Sequence, residues 1–283
     1  MEICRCPVKS MQGETPSEVV VDATGVVGDR AYALVDGETG AVVSAKDPRR
    51  WAVLLGMSAR FSAEAGPGQP ITITLPGGVR VSSTEQDIDS QLSSAAGRTV
   101  TLSGAPASGA HYDEVWPNID GLAPEQFVAS LQTGHTSAGE AVTALPVGML
   151  APGTFQDVAP VTILTTSSLR AARRLHPEGN WDPRRFRMTV LIDTDGDRFL
   201  ENDWLGRSLT VGSVRLSVFA PTPRCVMVTL AQPDLGADRQ ILTTVARHNR
   251  AEVPGTGRFA CLGVYASVEQ SGTIRVGDNV ELT

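Results

Sequence analysis

Residues 215–230 read RLSVFAPTPRCVMVTL, in which two apolar, β-branched runs flank the segment Pro221 to Cys225. The run before Pro221 predicts a strand, and the run from Val226 to Leu230 predicts a second one. Proline donates no hydrogen bond to a sheet ladder. We therefore expect Cys225 at a strand end or bulge, where side chains point into clefts.

Cys225 has two interpretations from this context. The neighbouring positive charge of Arg224 favours a thiolate, which attacks electrophiles or binds a soft metal ion. Alternatively, Cys225 is a buried strand cysteine that acts as a small hydrophobic side chain. Other residues have to decide between them.

Composition limits the classes of partner. The chain has 283 residues, a formal net charge of −7 and a pI of about 5.2, which speaks against general nucleic-acid binding. An anion must therefore be held by a local cluster of cations. Lysine is rare in the chain and arginine is common, and the planar fork of arginine suits phosphate.

The cysteine spacing and the apolar pattern predict in which compartment the protein is located. Cys4, Cys6, Cys225 and Cys261 lack paired zinc-finger spacing, and Cys4 and Cys6 would point to one face of a strand. We expect reduced thiols in a cytoplasmic protein. The N-terminal residues show no signal peptide and no long apolar run occurs, so no contact with a membrane is expected.

The pattern along the chain predicts three parts. Residues 1–105 alternate short β-branched runs with glycine turns and predict an antiparallel β module. Residues 106–160 predict a loop-rich crossover, with helical spacing only from Pro124 to Leu131. Residues 161–283 predict strands with helices near 167–175 and 240–249. The predicted fold class is mainly β (α+β), a β-barrel with covering helices plus an N-terminal barrel-like module.

Charged or hydroxyl groups stand at the edges of several predicted strands. They occur at Pro7-Val8-Lys9-Ser10, Gly28-Asp29-Arg30, Arg184-Arg185-Phe186-Arg187 and Arg224-Cys225. If these strand ends converge, Lys9, Arg30 and Arg187 form a cationic pocket beside one thiol. The alternative assigns each cation to a solvated rim or a local salt bridge, and spacing alone does not decide.

In the order of these motifs, the chain resembles MOSC-domain proteins, with the N-terminal β-barrel module and C-terminal catalytic module of the mitochondrial amidoxime reducing component family. The resemblance rests on the four segments above, on Asp203-Trp204 and on the closing run from Gly272 to Asp278. It covers nearly the whole chain.

The resemblance implies a molybdenum cofactor, in which a pterin dithiolene holds the metal. Cys225 matches the family's molybdenum ligand, since a soft thiolate donates electrons strongly to the metal. Asp203 falls where an acidic residue could relay a proton, although a turn-capping aspartate is equally expected. The residues implied to hold the pterin and its phosphate are Lys9, Ser10, Arg30, Ser168, Arg187 and Arg224.

The function implied by the resemblance is reduction of a small N-hydroxylated substrate. Electrons would come from a separate donor protein of ferredoxin, flavodoxin or cytochrome type. Met188-Thr189 stands where family members have Pro-Asn, so cofactor contacts are expected to differ. Two alternatives remain open: a sulfur-carrier or cofactor-handling protein that uses Cys225, and a metal-free relative that binds another phosphorylated ligand.

Overall fold

Most of the regular structure is β, as the alternating apolar pattern predicts, and the mainly β fold class with few helices is confirmed. The computed structural model describes residues 1–283. Its strands, numbered in chain order, are β1 (Glu2–Ile3), β2 (Glu18–Asp22), β3 (Gly25–Val26), β4 (Ala33–Asp36), β5 (Ser58–Phe61), β6 (Ile71–Thr74), β7 (Arg80–Ser82), β8 (Val100–Ser103), β9 (His111–Trp116), β10 (Gln132–His135), β11 (Ala141–Pro146), β12 (Val161–Thr165), β13 (Val190–Ile192), β14 (Ser208–Val211), β15 (Val214–Pro223), β16 (Arg250–Val253), β17 (Gly257–Gln270), β18 (Gly272–Arg275) and β19 (Val280–Leu282).

The helices are short. The α-helices are α1 (Pro48–Trp51), α2 (Ile88–Ala96), α3 (Glu125–Leu131), α4 (Thr166–Leu175) and α5 (Arg239–His248). Single 3₁₀ turns span Ala52–Gly56, Pro183–Arg185, Leu200–Trp204 and Val226–Thr229. No helix combines the length and the apolar character needed to cross a membrane.

The largest sheet has the order β1-β13-β12-β17-β15-β14-β19, with β16 added beside one end of β17. Strands β12 and β13 are parallel and α4 connects them, while the other neighbours are antiparallel. One face of this sheet packs an apolar core that includes Ile163, Val190, Leu216 and Val264. Sheet pairing and core packing therefore fix the central strands, and with them the positions of the residues that directly precede and follow these strands.

The two predicted helices of the second half are confirmed as α4 and α5. Thr165 caps α4, because its hydroxyl accepts a hydrogen bond from the backbone N–H of Ser168. Asp238 caps α5 in the same way through the N–H of Gln240. The apolar sides of both helices pack with Trp181 and Leu262 in a core on the sheet.

The first hundred residues build smaller sheets around their own core. The sheet β5-β6-β7 packs Ile71 and Ile73 against Leu34 and Leu54 of the neighbouring segments. A turn at Pro76-Gly77-Gly78 joins β6 to β7, in keeping with the glycine turns expected in this part of the chain. Apolar alternation thus predicts this part correctly.

Residues 106–160 lie mostly outside helices and strands, as the loop-rich composition predicts, but they also contain an antiparallel sheet of β9, β10 and β11 with α3 beside it. The strand expected after Cys225 is not formed. Val226–Thr229 is a 3₁₀ turn and not a strand. Beyond Pro223, which pairs with Cys261, the N–H of Arg224 donates to the carbonyl of Ala260 and the N–H of Ala260 donates to the carbonyl of Leu122, so no ladder remains on this edge of β17 for the run.

The N-terminal residues pair with strands from the far end of the chain. β1 lies antiparallel to β13, so Ile3 is opposite Val190. β2 lies antiparallel to β18, so Val19 is opposite Ile274. The two halves of the chain are therefore joined by sheet hydrogen bonds, and segments from both halves meet next to β13 and β15.

Candidate functional site

Strand ends from both halves of the chain surround one cavity of about 100 Å³, here called the cationic cavity. Pro221 and Pro223 lie at a register shift in the β15–β17 ladder, and Cys225 follows two residues after β15 ends, as the prolines predict. Of the residues singled out in the sequence, those that line the cavity are Lys9, Ser10, Arg30, Arg187, Arg224 and Cys225. The structure thus brings together segments that spacing could not relate.

Three of these residues adopt an uncommon backbone conformation. Ser10 has φ 67°, Arg30 has φ 48° and Arg187 has φ 53°, and only one other non-glycine residue, Asp234, has a positive φ. Such conformations carry strain and persist where surrounding contacts fix them. Here Asp29 fixes the loop, because its carboxylate accepts from the N–H of Cys6 and from the amide of Gln156.

Hydrogen bonds tie the two halves together at the cavity. Arg30 donates from Nη2 to the carbonyl of Arg187 at 3.0 Å, and Arg187 donates from Nη1 to the carbonyl of Met11 at 2.7 Å. Lys9 donates from Nζ to the carbonyl of Phe155 at 3.0 Å. These bonds hold the cationic side chains in place without neutralising their charge.

Six cationic side chains line the cavity, and sequence reasoning missed two of them, Lys46 and Arg185. The chain has only two lysines, Lys9 and Lys46, and both lie in this cavity. Since lysine is otherwise avoided in favour of arginine, its rarity was the signal that could have identified Lys46.

Asp157 lies between the two lysines and pairs with both, at 3.1 Å from Lys46 Nζ. Burial raises the pKa of Asp157, but the charges of Lys46 and Lys9 outweigh it and hold that pKa well below its usual range. Burial lowers the pKa of Lys9, whereas for Lys46 Asp157 and Glu114 outweigh burial and raise the pKa. The two lysines therefore belong to a network of ion pairs with Asp157 and Glu114.

Arg224 is buried, and its donors are taken up by the protein. Its guanidinium bonds to the carbonyls of Leu262 and Phe186 and to the sulfur of Met188. Gly263 makes room for this packing, because at its φ of 85° a Cβ would lie 2.5 Å from Met188 Cε and 3.2 Å from Arg224 Nη2. Arg224 thus supplies positive charge to the cavity, while four of its five N–H donors are bonded within the protein.

The expectation that Arg224 makes Cys225 a thiolate is wrong. Burial raises the pKa of Cys225 to about 11, against the opposing charge of Lys46. The free thiol is therefore protonated at neutral pH. A soft metal ion would displace this proton, because a coordinating thiol is deprotonated by the ion itself.

Two polar atoms of cavity-lining residues are buried and have no hydrogen-bond partner: Arg187 Nη2 and Thr222 Oγ1. Buried donors without partners are uncommon in proteins and call for a ligand or water. Arg187, Arg185 and Arg224 also have no carboxylate partner, so their charge is uncompensated. The site is therefore suited to an anionic group such as phosphate.

The same cavity offers one soft donor to a metal. No cluster of three or more His, Cys, Asp or Glu side chains exists in the protein. A metal ion bound at Cys225 would therefore need its remaining donors from a chelating molecule. One thiol beside an anion-binding surface fits a metal carried by a phosphorylated organic chelator.

Two predicted site residues, Ser168 and Asp203, do not line the cavity, and of the Met188-Thr189 pair only Met188 does. Ser168 is buried and donates to Glu201 at 2.6 Å, away from the cavity. Asp203 is exposed and pairs with Arg198 at 2.7 Å, and it does not line the cavity. Met188 lines the cavity, while the hydroxyl of Thr189 is taken up by Thr162.

Comparison with known proteins gives partial matches to curated sequences. Residues of this chain are 31% identical over 131 residues to mitochondrial amidoxime reducing component 2 of Macaca fascicularis and of Homo sapiens. The match covers 44% of this chain and 38% of each relative. The chain thus spans well under half the length of these relatives.

Solved structures give distant matches. The YuaD protein from Bacillus subtilis is 10% identical, with a TM-score of 0.44 over 99% of this chain and 92% of that chain. YiiM from Geobacillus stearothermophilus is 16% identical, with a TM-score of 0.31 over 44% of this chain and 54% of that chain.

Family models match most of the chain. The model of the MOSC N-terminal beta barrel domain matches residues 1–108, and the model of the MOSC domain matches residues 152–281. The cationic cavity takes Lys9, Ser10, Arg30 and Lys46 from the first matched region and Arg187, Arg224 and Cys225 from the second. The chain belongs to the MOSC-domain proteins and carries both the N-terminal β-barrel domain and the MOSC domain of that family.

Proposed function

We propose that this protein is a molybdenum cofactor-dependent oxidoreductase that reduces small N-hydroxylated or related N–O compounds. The observation that carries the proposal is the meeting of Cys225 with the uncompensated positive charge of Arg187 and Arg224 in one cavity. The printed name of the curated relatives, amidoxime reducing component, supports this substrate class.

In this proposal each side chain has a defined task. Cys225 is the protein's ligand to molybdenum, and its partly buried side chain lines the cavity. Arg187 offers its unpartnered Nη2 to the cofactor phosphate, and Thr222 offers its free hydroxyl nearby. When bound, the cofactor supplies two-electron oxygen-atom transfer, which no side chain of this protein performs.

Lys9, Ser10 and Lys46 complete the binding surface from the first domain. Ser10 Oγ accepts from the N–H of Ala45, which leaves the hydroxyl proton free to donate to a ligand oxygen. Lys46 and Lys9 remain charged through Asp157, so they attract anionic parts of the ligand. The enclosed volume matches a small group such as phosphate, so a larger ligand extends toward solvent.

Reduction of an N–OH group to N–H consumes two electrons and two protons and releases water. We propose that a separate ferredoxin-, flavodoxin- or cytochrome-type protein delivers these electrons. We also propose a reducing, cytoplasmic location, because all four cysteines are free thiols.

Metal and pterin content tests the proposal. Protein purified from a host that makes the molybdenum cofactor is expected to contain about one molybdenum and one pterin per chain. The Cys225→Ala variant should lose molybdenum, whereas Cys261→Ala, which alters a buried core cysteine, should retain it. Purification of folded wild-type protein without either component would refute the proposal.

Two further readouts separate the alternatives. The holoprotein should reduce a model amidoxime when a chemical one-electron donor replaces the partner protein. If Cys225 instead carries cyanide-labile sulfur and no amidoxime is reduced, the sulfur-carrier function is correct. If a phosphorylated ligand other than the pterin co-purifies, the metal-free alternative is correct.

A further inference from the structure

A second cavity, of about 330 Å³, lies behind Arg187 and is here called the dithiol cavity. Cys4 and Cys6 both line it, because alternation along the extended N-terminal segment places them on the same side. Their Sγ atoms are 3.8 Å apart. Arg187 and Met188 line both cavities and so stand between the two.

The separation of the sulfur atoms is that of two ligands on one metal ion. Two metal–sulfur bonds of about 2.3 Å that meet at a tetrahedral angle place the sulfurs about 3.8 Å apart. Two-coordinate binding prefers a wider S–metal–S angle, so rotation of a side chain would move the sulfurs slightly apart. A disulfide requires an S–S distance of about 2.05 Å, so the sulfurs would have to approach each other before they could bond. The pair is close enough for both sulfurs to bind one ion.

The surroundings of the pair select the charge of the ion. Arg187 and Arg30 act electrostatically on Cys6, opposed by Asp29. No third His, Cys, Asp or Glu joins the pair, and the sulfur of Met188 is taken up by Arg224. A divalent ion such as Zn²⁺ prefers four protein ligands in a closed site, which this cavity does not supply.

We propose that Cys4 and Cys6 bind a soft monovalent metal ion, copper(I), as a two-coordinate thiolate pair. Soft thiolates favour copper(I), which is stable with two such ligands. On binding, each thiol releases its proton and the complex carries one net negative charge. The guanidinium groups of Arg187 and Arg30 stabilise that charge, whereas they would oppose an incoming dication.

The dithiol cavity also allows the ion to enter. Cys4 is partly exposed and Cys6 is buried, so Cys4 meets the ion first and Cys6 closes the site. The remaining lining is mixed, with Gln12, Thr15 and Ser58 among its polar members. The site is separate from Cys225, and the proposal does not depend on the molybdenum chemistry.

Competition with a chromophoric copper(I) chelator under anaerobic, reducing conditions tests the proposal. All variants are made in a Cys225→Ser background, which removes the other thiol that is accessible from a cavity. The background protein is expected to retain one copper(I) per chain and to show thiolate-to-copper charge-transfer absorption. Its midpoint of thermal unfolding should rise with copper(I), because a ligand that binds the folded state stabilises it.

Cys4→Ser in this background should weaken copper(I) binding at least tenfold, and Cys261→Ser should not change it. Because Cys6 is buried, Cys4→Ser is the main test, and the copper-free thermal midpoint checks that the variant is folded. Retention that is unaffected by Cys4→Ser would overturn the proposal, as would equal retention of Zn²⁺. If the number of free thiols fell by two and no copper were retained, Cys4 and Cys6 would instead be a pair that oxidises to a disulfide.

Discussion

The two walls of the cationic cavity stabilise buried positive charge in different ways. On the wall from the N-terminal domain, Lys9 pairs with Asp157, Lys46 with Asp157 and Glu114, and Arg30 with Asp29. On the wall from the MOSC domain, Arg185, Arg187 and Arg224 bond mainly to carbonyl oxygens.

The difference matters because carbonyl groups satisfy N–H donors without cancelling the charge. The cations of the N-terminal wall are close to neutralised by their carboxylate partners, one of which, Asp157, lies in the MOSC match, whereas the arginines next to Cys225 have no carboxylate partner. Ligand attraction is therefore expected to depend mostly on these arginines of the MOSC wall. Three substitutions test this difference.

Arg224→Met is expected to have the largest effect, a loss of about 2–4 kcal/mol in the free energy of unfolding. The reason is that the carbonyls of Leu262 and Phe186 would be left buried and unpaired. Chemical denaturation at 25 °C measures the change. Arg198→Met, which removes an exposed ion pair with Asp203, should change stability by less than about 0.5 kcal/mol. Equal, small losses in both variants would show that Arg224 is not a structural anchor.

Asp157→Asn is expected to cost about 1–2 kcal/mol at pH 7, a modest value because the carboxylate is partly exposed. The folded-state pKa of Asp157 is depressed below its ordinary 3.8. Its stabilisation is therefore present above pH 3.8 and is lost only as the pH falls through the lower folded value. Chemical denaturation of the variant and the wild type from pH 7 to pH 2 measures the difference between their free energies of unfolding. If this difference instead disappeared between pH 7 and pH 5, the ion-pair network would be contradicted.

Arg187→Gln is expected to change stability by less than about 1 kcal/mol, since one bond to the carbonyl of Met11 is lost. Binding of inorganic phosphate, measured by its effect on the thermal midpoint, should weaken about tenfold, or about 1.4 kcal/mol. Arg187→Lys keeps the charge and should restore part of the response. If Lys9→Gln weakened phosphate binding more than Arg187→Gln, the N-terminal wall would be the main source of attraction.

Local patterns in the sequence predicted much of this site. Prolines at 221 and 223 correctly predicted a strand end before Cys225, and charged residues at strand edges pointed to Lys9, Arg30 and Arg187. These signals are local, because each depends only on neighbouring residues and on backbone rules. Their meeting in one cavity depends on pairing between distant strands.

The misses come from contacts that no local pattern encodes. Val226–Thr229 has strand propensity, but the next N–H on this edge of β17, that of Ala260, already donates to the carbonyl of Leu122. Tertiary pairing also organises residues 106–160, whose composition resembles a loop. The bonds of Arg224 to the carbonyls of Leu262 and Phe186, with room left by Gly263, likewise depend on residues far from it in sequence.

The pairing of β2 with β18 also constrains how the molecule is made. Val19 and Ile274 are opposite each other although almost the whole chain separates them. Contacts of such long sequence separation close large loops and slow folding. During synthesis the edge of β2 stays unpaired until β18 has left the ribosome. The apoprotein is therefore expected to become competent for its ligand only after β18 has been made, as a late event in its biogenesis.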